Sequence, residues 1–467
     1  MKKKRIMLML GIGVLVATVG LVLHHVFAWK EQPIKLDPDY HELFTKEYLS
    51  ERGHEEELAE YATDVSIAYQ NADGTKSLYV YASPIRFLNS TGQYSIIDTR
   101  LANVRDTAMR EAGYIYTIAN SDIKSFYPKE ANESSGVLIQ KDIQYEIGFD
   151  EETPKRGWYR EMDNFISESK KAVQYKDCFG ADAVVSFYPS SLGVNCEIDF
   201  PRTLQGNIFS LWMEVNGEGV SVRENEGGYI TIDQKSIDGE GNRTYEIKGV
   251  IQKPLLKTAD GTIYYDSTME VISEGNGRYL LVFQLNEAVK LKNAKAFISF
   301  EMRREKQPDN ALYSKLPEFK EAYLRNYSVI GNSEDYGIGR LMVRYKFAKF
   351  FNLRSMQVLN AKYSVYSLNE GTTGFELKTV LEDWCSITGN WTDEYKTGDV
   401  TSTATLEGHQ LTFDITEEVE KWCDDADGQL EHNGVLLKTT NEAGGEYHVL
   451  LSNDNSLYKN VTEVLLM

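Results

Sequence analysis

A chain of 467 residues is too long for one ordinary core and implies two or three domains. With 70 Asp plus Glu against 50 Lys plus Arg, its formal charge of −20 excludes nucleic acid as a partner, because phosphate binding needs a basic face. The same acidity suits solubility outside a cell or Ca²⁺ binding, and the 12% of aromatic residues, Tyr alone numbering 29, suits strand faces wet on one side and apolar on the other.

At the N-terminus, Met1-Lys2-Lys3-Lys4-Arg5 precedes an apolar run from Ile6 to Leu23, and His24, His25, Trp29 and Lys30 restore polarity. This is an export signal. A secretory apolar core holds about 7 to 15 residues and a spanning helix needs roughly 17 or more, so the run sits on the border. Val26-Phe27-Ala28 suits a signal peptidase, whereas the length of the run and Trp29 at the interface suit a retained anchor. Residues 1–30 are therefore expected to be a signal peptide or a membrane anchor, with the basic end inside and everything after about residue 30 on the extracellular side. The chain has no Leu-x-x-Cys box for lipid attachment.

Residues 31–62 read as a polar stalk or short helix, with Leu43, Leu49, Leu58 and Tyr61 set among many charges. From 63 onward the dominant period is two. Ile143, Tyr145, Ile147 and Phe149 alternate with Gln144, Glu146 and Gly148, and Val194, Cys196, Ile198 and Phe200 alternate with Asn195, Glu197 and Asp199. Turn formers separate such runs: Asn71-Ala72-Asp73-Gly74, Asp238-Gly239-Glu240-Gly241, Ala259-Asp260-Gly261 and Gly275-Asn276-Gly277. Glu151 to Lys176 is charged and irregular and reads as a linker with a helical piece. Arg303 to Asn310, polar and broken by Pro308, marks a second boundary. Beyond it come Leu341, Val343 and Tyr345, then Ala361, Tyr363 and Val365, then Val435 to Leu437. The expected fold is mainly β, built of antiparallel, jelly-roll-like sandwich domains, with a β-rich domain and linker over 63–176, a sandwich over 177–310 and another over 311–467. No fixed-period repeat suggests a propeller or solenoid.

Phe413 to Trp422 reads as a strand passing into a helical turn. Phe413 and Ile415 alternate into a core, Thr416 caps, Glu417 and Glu418 favour the first turn, and Val419 and Trp422 share a face.

These residues resemble a family. Asp73-Gly74-Thr75 with Val80 to Ile85 and Gly92 to Asp98, then Val194 to Ile198, Pro254 to Gly261 and Ala296 to Phe300, are similar in order and spacing to the N-terminal region of bacterial wall-associated, Rhs-type proteins. Gly337 to Arg340 leading into Val343 to Phe347, Leu359 to Tyr366, Trp391-Thr392, Phe413 to Thr416, and Gly434 to Leu437 with Leu451 to Asn455 resemble the DNRLRE domain of shorter relatives. The resemblance implies a surface or cell-wall protein that ends in a sandwich related to carbohydrate-binding modules. The chain departs from the family in three respects: the eponymous six-residue run, the proline after Trp391-Thr392, and any tyrosine-aspartate repeat or toxin are missing. A toxin-delivery role is not carried over.

Catalytic patterns are absent from the sequence. The exported His41, His54, His409, His432 and His448 sit in no nucleophile-elbow or His-Glu-x-x-His context, so a non-enzyme is expected. Paired carboxylates of a glycoside hydrolase or lyase accessory protein stand as the alternative, together with a pure surface scaffold. Trp384, Trp391 and Tyr395, in a polar stretch, are candidates for stacking on polysaccharide, or for packing into the core. Asp424, Asp425 and Asp427 surround a turn that offers oxygen ligands to Ca²⁺ but lacks the Glu of an EF-hand loop. Cys178 with Cys196, and Cys385 with Cys423, are disulfide candidates outside the cytoplasm, although Cys196 also reads as a buried strand thiol.

Overall fold

The computed structural model describes residues 46–81, 84–166, 169–224, 229–237, 243–302, 309–315, 327–343, 356–381, 396–424, 433–451 and 460–467. The fold is mainly β and every strand pairing is antiparallel, in sheets of six, seven, eight and eleven strands and one two-stranded ribbon among the described residues. No helix among these residues is long and apolar enough to cross a membrane. The apolar run 6–28 lies outside them.

The eight-stranded and eleven-stranded sheets pack face to face. Phe149 of strand Gln144–Phe149 meets Tyr175 at 5.5 Å and Phe187 at 6.3 Å, and Phe209 of strand Ile208–Asn216 meets Phe200 at 6.2 Å. The alternation from Ile143 to Phe149 buries these side chains as expected. Gly148 is required by its neighbour across the ladder, since a Cβ there would lie 2.4 Å from the Trp212 indole, whose Nε1 donates to the Asn132 carbonyl. In strand Gly193–Phe200 both faces are buried, so the half-exposed strand expected there is found in the middle of a covered sheet. On the polar face of that strand Glu197 is enclosed by Tyr188, the Phe165 amide and Lys295.

A second pair of sheets holds the remaining strands apart from the two-stranded ribbon Arg86–Leu88 with Tyr94–Ile96. In the six-stranded sheet, Val461–Leu466 lies between Lys76–Tyr81 and Val358–Tyr366 and pairs with both. The facing seven-stranded sheet contributes Leu341, Phe375, Leu377, Val435 and Leu450 to a core shared with Ala68, Leu78, Tyr363, Phe413 and Val464. Sheet membership therefore does not follow the expected spans: residues 66–81 belong with the C-terminal strands, and each of the spans 63–176, 177–310 and 311–467 feeds more than one sheet. Within 31–62, helix Lys46–Glu51 is followed by strand His54–Glu57, which pairs with Ser66–Asn71. His54 is buried there, its ring stacked 4.6 Å from Tyr69 and its nitrogens on Asn71 and Tyr79.

The linker expected over 151–176 is a β-hairpin, Lys155–Asp163 with Ser169–Cys178, inside the eleven-stranded sheet. Arg156, Arg160, Lys170 and Lys176 occupy one set of alternate positions and Lys155, Glu161, Asp163 and Lys171 the other, and within the latter set Gly157, Val173 and Tyr175 are buried. Hairpin Thr268–Gly275 with Arg278–Gln284 turns at the expected Gly275-Asn276-Gly277, where Asn276 and Gly277 both take positive φ, 52° and 80°. The turn expected at 238–241 lies outside the described residues.

The two pairs of sheets join through an aromatic-rich core. Phe165, Leu255, Ile263, Tyr265 and Phe297 on one side pack with Tyr313, Tyr327, Tyr336, Val449 and Leu451 on the other.

Candidate functional site

An open cleft of about 760 Å³ lies over this junction. One wall is the turn between strands Leu255–Lys257 and Ile263–Tyr264, the expected Ala259-Asp260-Gly261 turn. Asp260 Oδ1 accepts from the Thr258 hydroxyl at 2.6 Å and from the Thr262 amide at 3.2 Å, which fixes the turn and holds the Asp260 carboxyl below its ordinary range. The other walls are loop 367–373, the turn carrying His409, and Gly445 to His448 at the start of strand Tyr447–Leu451. Loop 367–373 is tied to that strand: Leu368 N donates to the Val449 carbonyl at 2.8 Å, and Val449 N donates to Asn369 Oδ1 at 2.7 Å.

Hydrogen bonding assigns the state of both histidines. His409 Nδ1 lies 2.8 Å from the Ser367 carbonyl oxygen, which only accepts, so Nδ1 carries the proton. Nε2 then has a proton to give to Glu370 Oε1, 3.3 Å away, only when the ring is charged. His448 Nε2 lies 2.8 Å from Thr373 Oγ1, which donates its single proton to Glu446 Oε2 at 2.9 Å. Nε2 is therefore the donor, and burial holds the pKa of the ring below the usual value. Because the Thr373 proton is directed at an exposed carboxylate and not at the histidine, the trio does not form an activated nucleophile with its base. It orients Glu446. Lys257 donates to the Phe165 carbonyl at 3.2 Å, and burial lowers its pKa against the pull of Glu370.

The cleft thus offers three exposed carboxylates, Asp260, Glu370 and Glu446, the Asn369 amide, hydroxyls of Thr262 and Thr372, and the half-buried Tyr447 ring. Such a lining accepts hydrogen bonds from a neutral, hydroxyl-rich ligand and repels anions. Among the described residues, no group of three or more His, Cys, Asp or Glu is placed to hold a metal ion.

Trp384, Trp391, Tyr395, Cys385, Asp425 and Asp427 lie outside the described residues, as do the side chains of Cys423 and Asp424 at the end of helix Thr416–Asp424. The disulfide expected between Cys178 and Cys196 is not formed: both are buried free thiols. Strand Ala183–Pro189 runs between their strands, Cys178 pairing with Ala183 and Cys196 with Phe187. Two strand spacings amount to about 9.5 Å, beyond the roughly 7 Å between Cα atoms that a bridge tolerates. Burial raises the Cys178 thiol to about 12.

The expected core of segment 413–422 is found, with Phe413, Ile415 and Val419 fully buried and Trp422 packed against them. Thr416 does not cap. Its hydroxyl donates to Asp414 at 2.6 Å and accepts from the Ala361 amide at 2.9 Å, pinning the helix to strand Val358–Tyr366. A second cleft of about 1050 Å³ beside Trp422 is lined by Asn360, Leu381, Val400, Asp414, Glu417 and Asn433 among others.

No protein-family model matches the chain, and no curated protein is similar to it in sequence.

Proposed function

We propose that the chain is an exported bacterial cell-surface protein, held by residues 6–28 or secreted, whose C-terminal sandwich, jelly-roll-like and of DNRLRE type, binds polysaccharide without cleaving it. The binding site in this reading is the cleft between the Asp260 turn and loop 367–373. The observation that carries it is the set of oriented acceptors: Asp260 and Glu446 are held by hydroxyl donors, and Glu370 stands beside His409. Carboxylates held at fixed positions accept paired hydrogen bonds from adjacent sugar hydroxyls, and Tyr447 supplies a ring for the apolar face of the sugar. Trp384, Trp391 and Tyr395 extend the same reading as additional stacking residues.

The test is a glycan array on the full-length chain in nonionic detergent, followed by affinity electrophoresis of Glu370→Gln and Glu446→Gln. Each substitution is expected to weaken retention by the glycan that binds about tenfold, the loss of about 1.4 kcal/mol for a charge-assisted bond, without lowering the melting temperature. Retention that survives both substitutions refutes the cleft. Absence of any neutral glycan among the binders leaves a surface scaffold, and release of reducing sugar leaves a hydrolase.

A further inference from the structure

The hairpin Lys155–Asp163 with Ser169–Cys178 carries a basic face on a strongly acidic chain. Alternation places Arg156, Trp158, Arg160 and Met162 on the outward side of the first strand, and the register Trp158↔Gln174, Arg160↔Ala172 and Met162↔Lys170 sets Lys170 and Gln174 beside them, with Lys176 at the next outward position. Trp158 is 38% exposed, and the guanidiniums of Arg156 and Arg160 lie 4.3 and 5.5 Å from its ring. Arg160, Lys170 and Lys176 form no ion pair with any carboxylate among the described residues, although the chain has twenty more acidic than basic side chains. Glu130, opposite Arg156, stands in register on this face, while Glu161 and Asp163 alternate to the other side. On a chain of charge −20, Arg160, Lys170 and Lys176 stand without the carboxylate partners that the rest of the surface offers in excess.

We propose that this outward face is an electrostatic docking strip for a linear anionic polysaccharide, separate from the cleft at the sandwich junction. Three features select that occupant. From Arg156 to Met162 the strip spans six residue steps, about 20 Å, and is only two strands, about 5 Å between axes, in width, which suits a chain lying along it more than a plane. The Trp158 ring carries two guanidiniums, so it works as a rigid support for them and not as an apolar wedge for a bilayer. Arg160, exposed beside the ring with one N–H on the Tyr159 carbonyl, presents its remaining N–H groups to solvent, and guanidiniums match carboxylates better than ammonium groups do. The acidic remainder of the surface opposes a polyanion everywhere else, and with a screening length of about 8 Å at physiological salt the strip acts locally against it.

The test uses the full-length chain in nonionic detergent with polygalacturonate, neutral dextran and vesicles containing anionic phospholipid as probes. Expected are retention by polygalacturonate that falls as NaCl rises from 50 to 200 mM and indifference to dextran. Up to four neutralised carboxylates would give a log–log salt slope of roughly −2 to −3 on the single-strand polyanion scale. Arg160→Glu combined with Lys170→Glu should weaken retention at least tenfold with an unchanged melt, and Lys170→Gln with Lys176→Gln should weaken it severalfold. Trp158→Ala should reduce it as well by releasing both guanidiniums. Glu370→Gln in the junction cleft should leave it unchanged, which separates this strip from the cleft. Polygalacturonate retention that is absent or insensitive to both charge variants overturns the proposal, as does stronger binding to anionic vesicles than to the polysaccharide.

Discussion

Replacing Glu197 by alanine tests the joint between the two pairs of sheets. Glu197 is fully buried; its Oε1 accepts from the Tyr188 hydroxyl at 2.5 Å and the Phe165 amide at 2.9 Å, and Lys295 Nζ lies 3.2 Å from Oε2. Alanine leaves two buried donors without an acceptor, each costing about 1–3 kcal/mol. Lys295 retains Asp199 at 3.5 Å and the Asp163 carbonyl at 2.6 Å. The expected loss is about 3–5 kcal/mol, the range for removing one partner of a buried pair. At roughly 2.1 cal/mol/K per residue over about 400 residues, that lowers the melting temperature by about 4–6 °C. Glu197→Gln keeps an acceptor for both donors and should lose less than half as much. Desolvation raises the Glu197 pKa, so the unfolded chain ionises first and stability falls as pH rises from about 4.3 through the folded value. Relative to wild type, the glutamine variant should therefore gain as pH rises through that window. Melts by circular dichroism from pH 4 to 8 give both readings. An alanine variant that melts within about 1 °C of wild type refutes the accounting.

Two further outcomes follow from the same packing. Val464, 2% exposed in the strand between Lys76–Tyr81 and Val358–Tyr366, should not tolerate aspartate: an unpaired buried carboxylate costs upward of about 4 kcal/mol, and limited proteolysis should then cut the N-terminal and C-terminal strands together. His448, neutral and buried, has a depressed folded pKa, so the unfolded chain takes up the proton first. Its contribution is whole above about 6.5 and lost as pH falls below that, and His448→Gln should show a smaller drop in melting temperature between pH 7 and 5 than wild type.

The strands with regular alternation, such as 143–149, and the turns at 259–261 and 275–277 were legible because local chemistry decides them. The hairpin at 155–178 was not, since its outward positions carry Arg, Lys and Trp where the eye expects small polar residues, and the charge hid a period of two. Pairing of Lys76–Tyr81 with Val461–Leu466 joins residues almost four hundred apart, and nothing in either segment announces its partner. The junction cleft shares that origin. Asp260 was visible as a turn residue, but its meeting with Glu370, His409 and Glu446 depends on how the sheets stack, and His409 and His448 were set aside for want of a linear motif.

The cleft and its support form one mechanical unit. Glu197 holds the Phe165 amide, the Phe165 carbonyl receives Lys257, and Lys257 reaches the cleft floor beside Asp260. Phe165 itself packs in the aromatic core with Leu451, the last residue of the strand that carries Tyr447 and His448, and with Tyr327, paired to Leu451 in the next strand. A ligand that spans Asp260 and Glu446 therefore touches both sides of this joint, and binding adds stability to it by mass action. Saturating ligand should raise the melting temperature of Glu197→Gln as it does that of wild type, since that variant keeps the acceptor for Phe165. In Glu197→Ala, where Phe165 is released, affinity should fall although no residue that touches the ligand has changed.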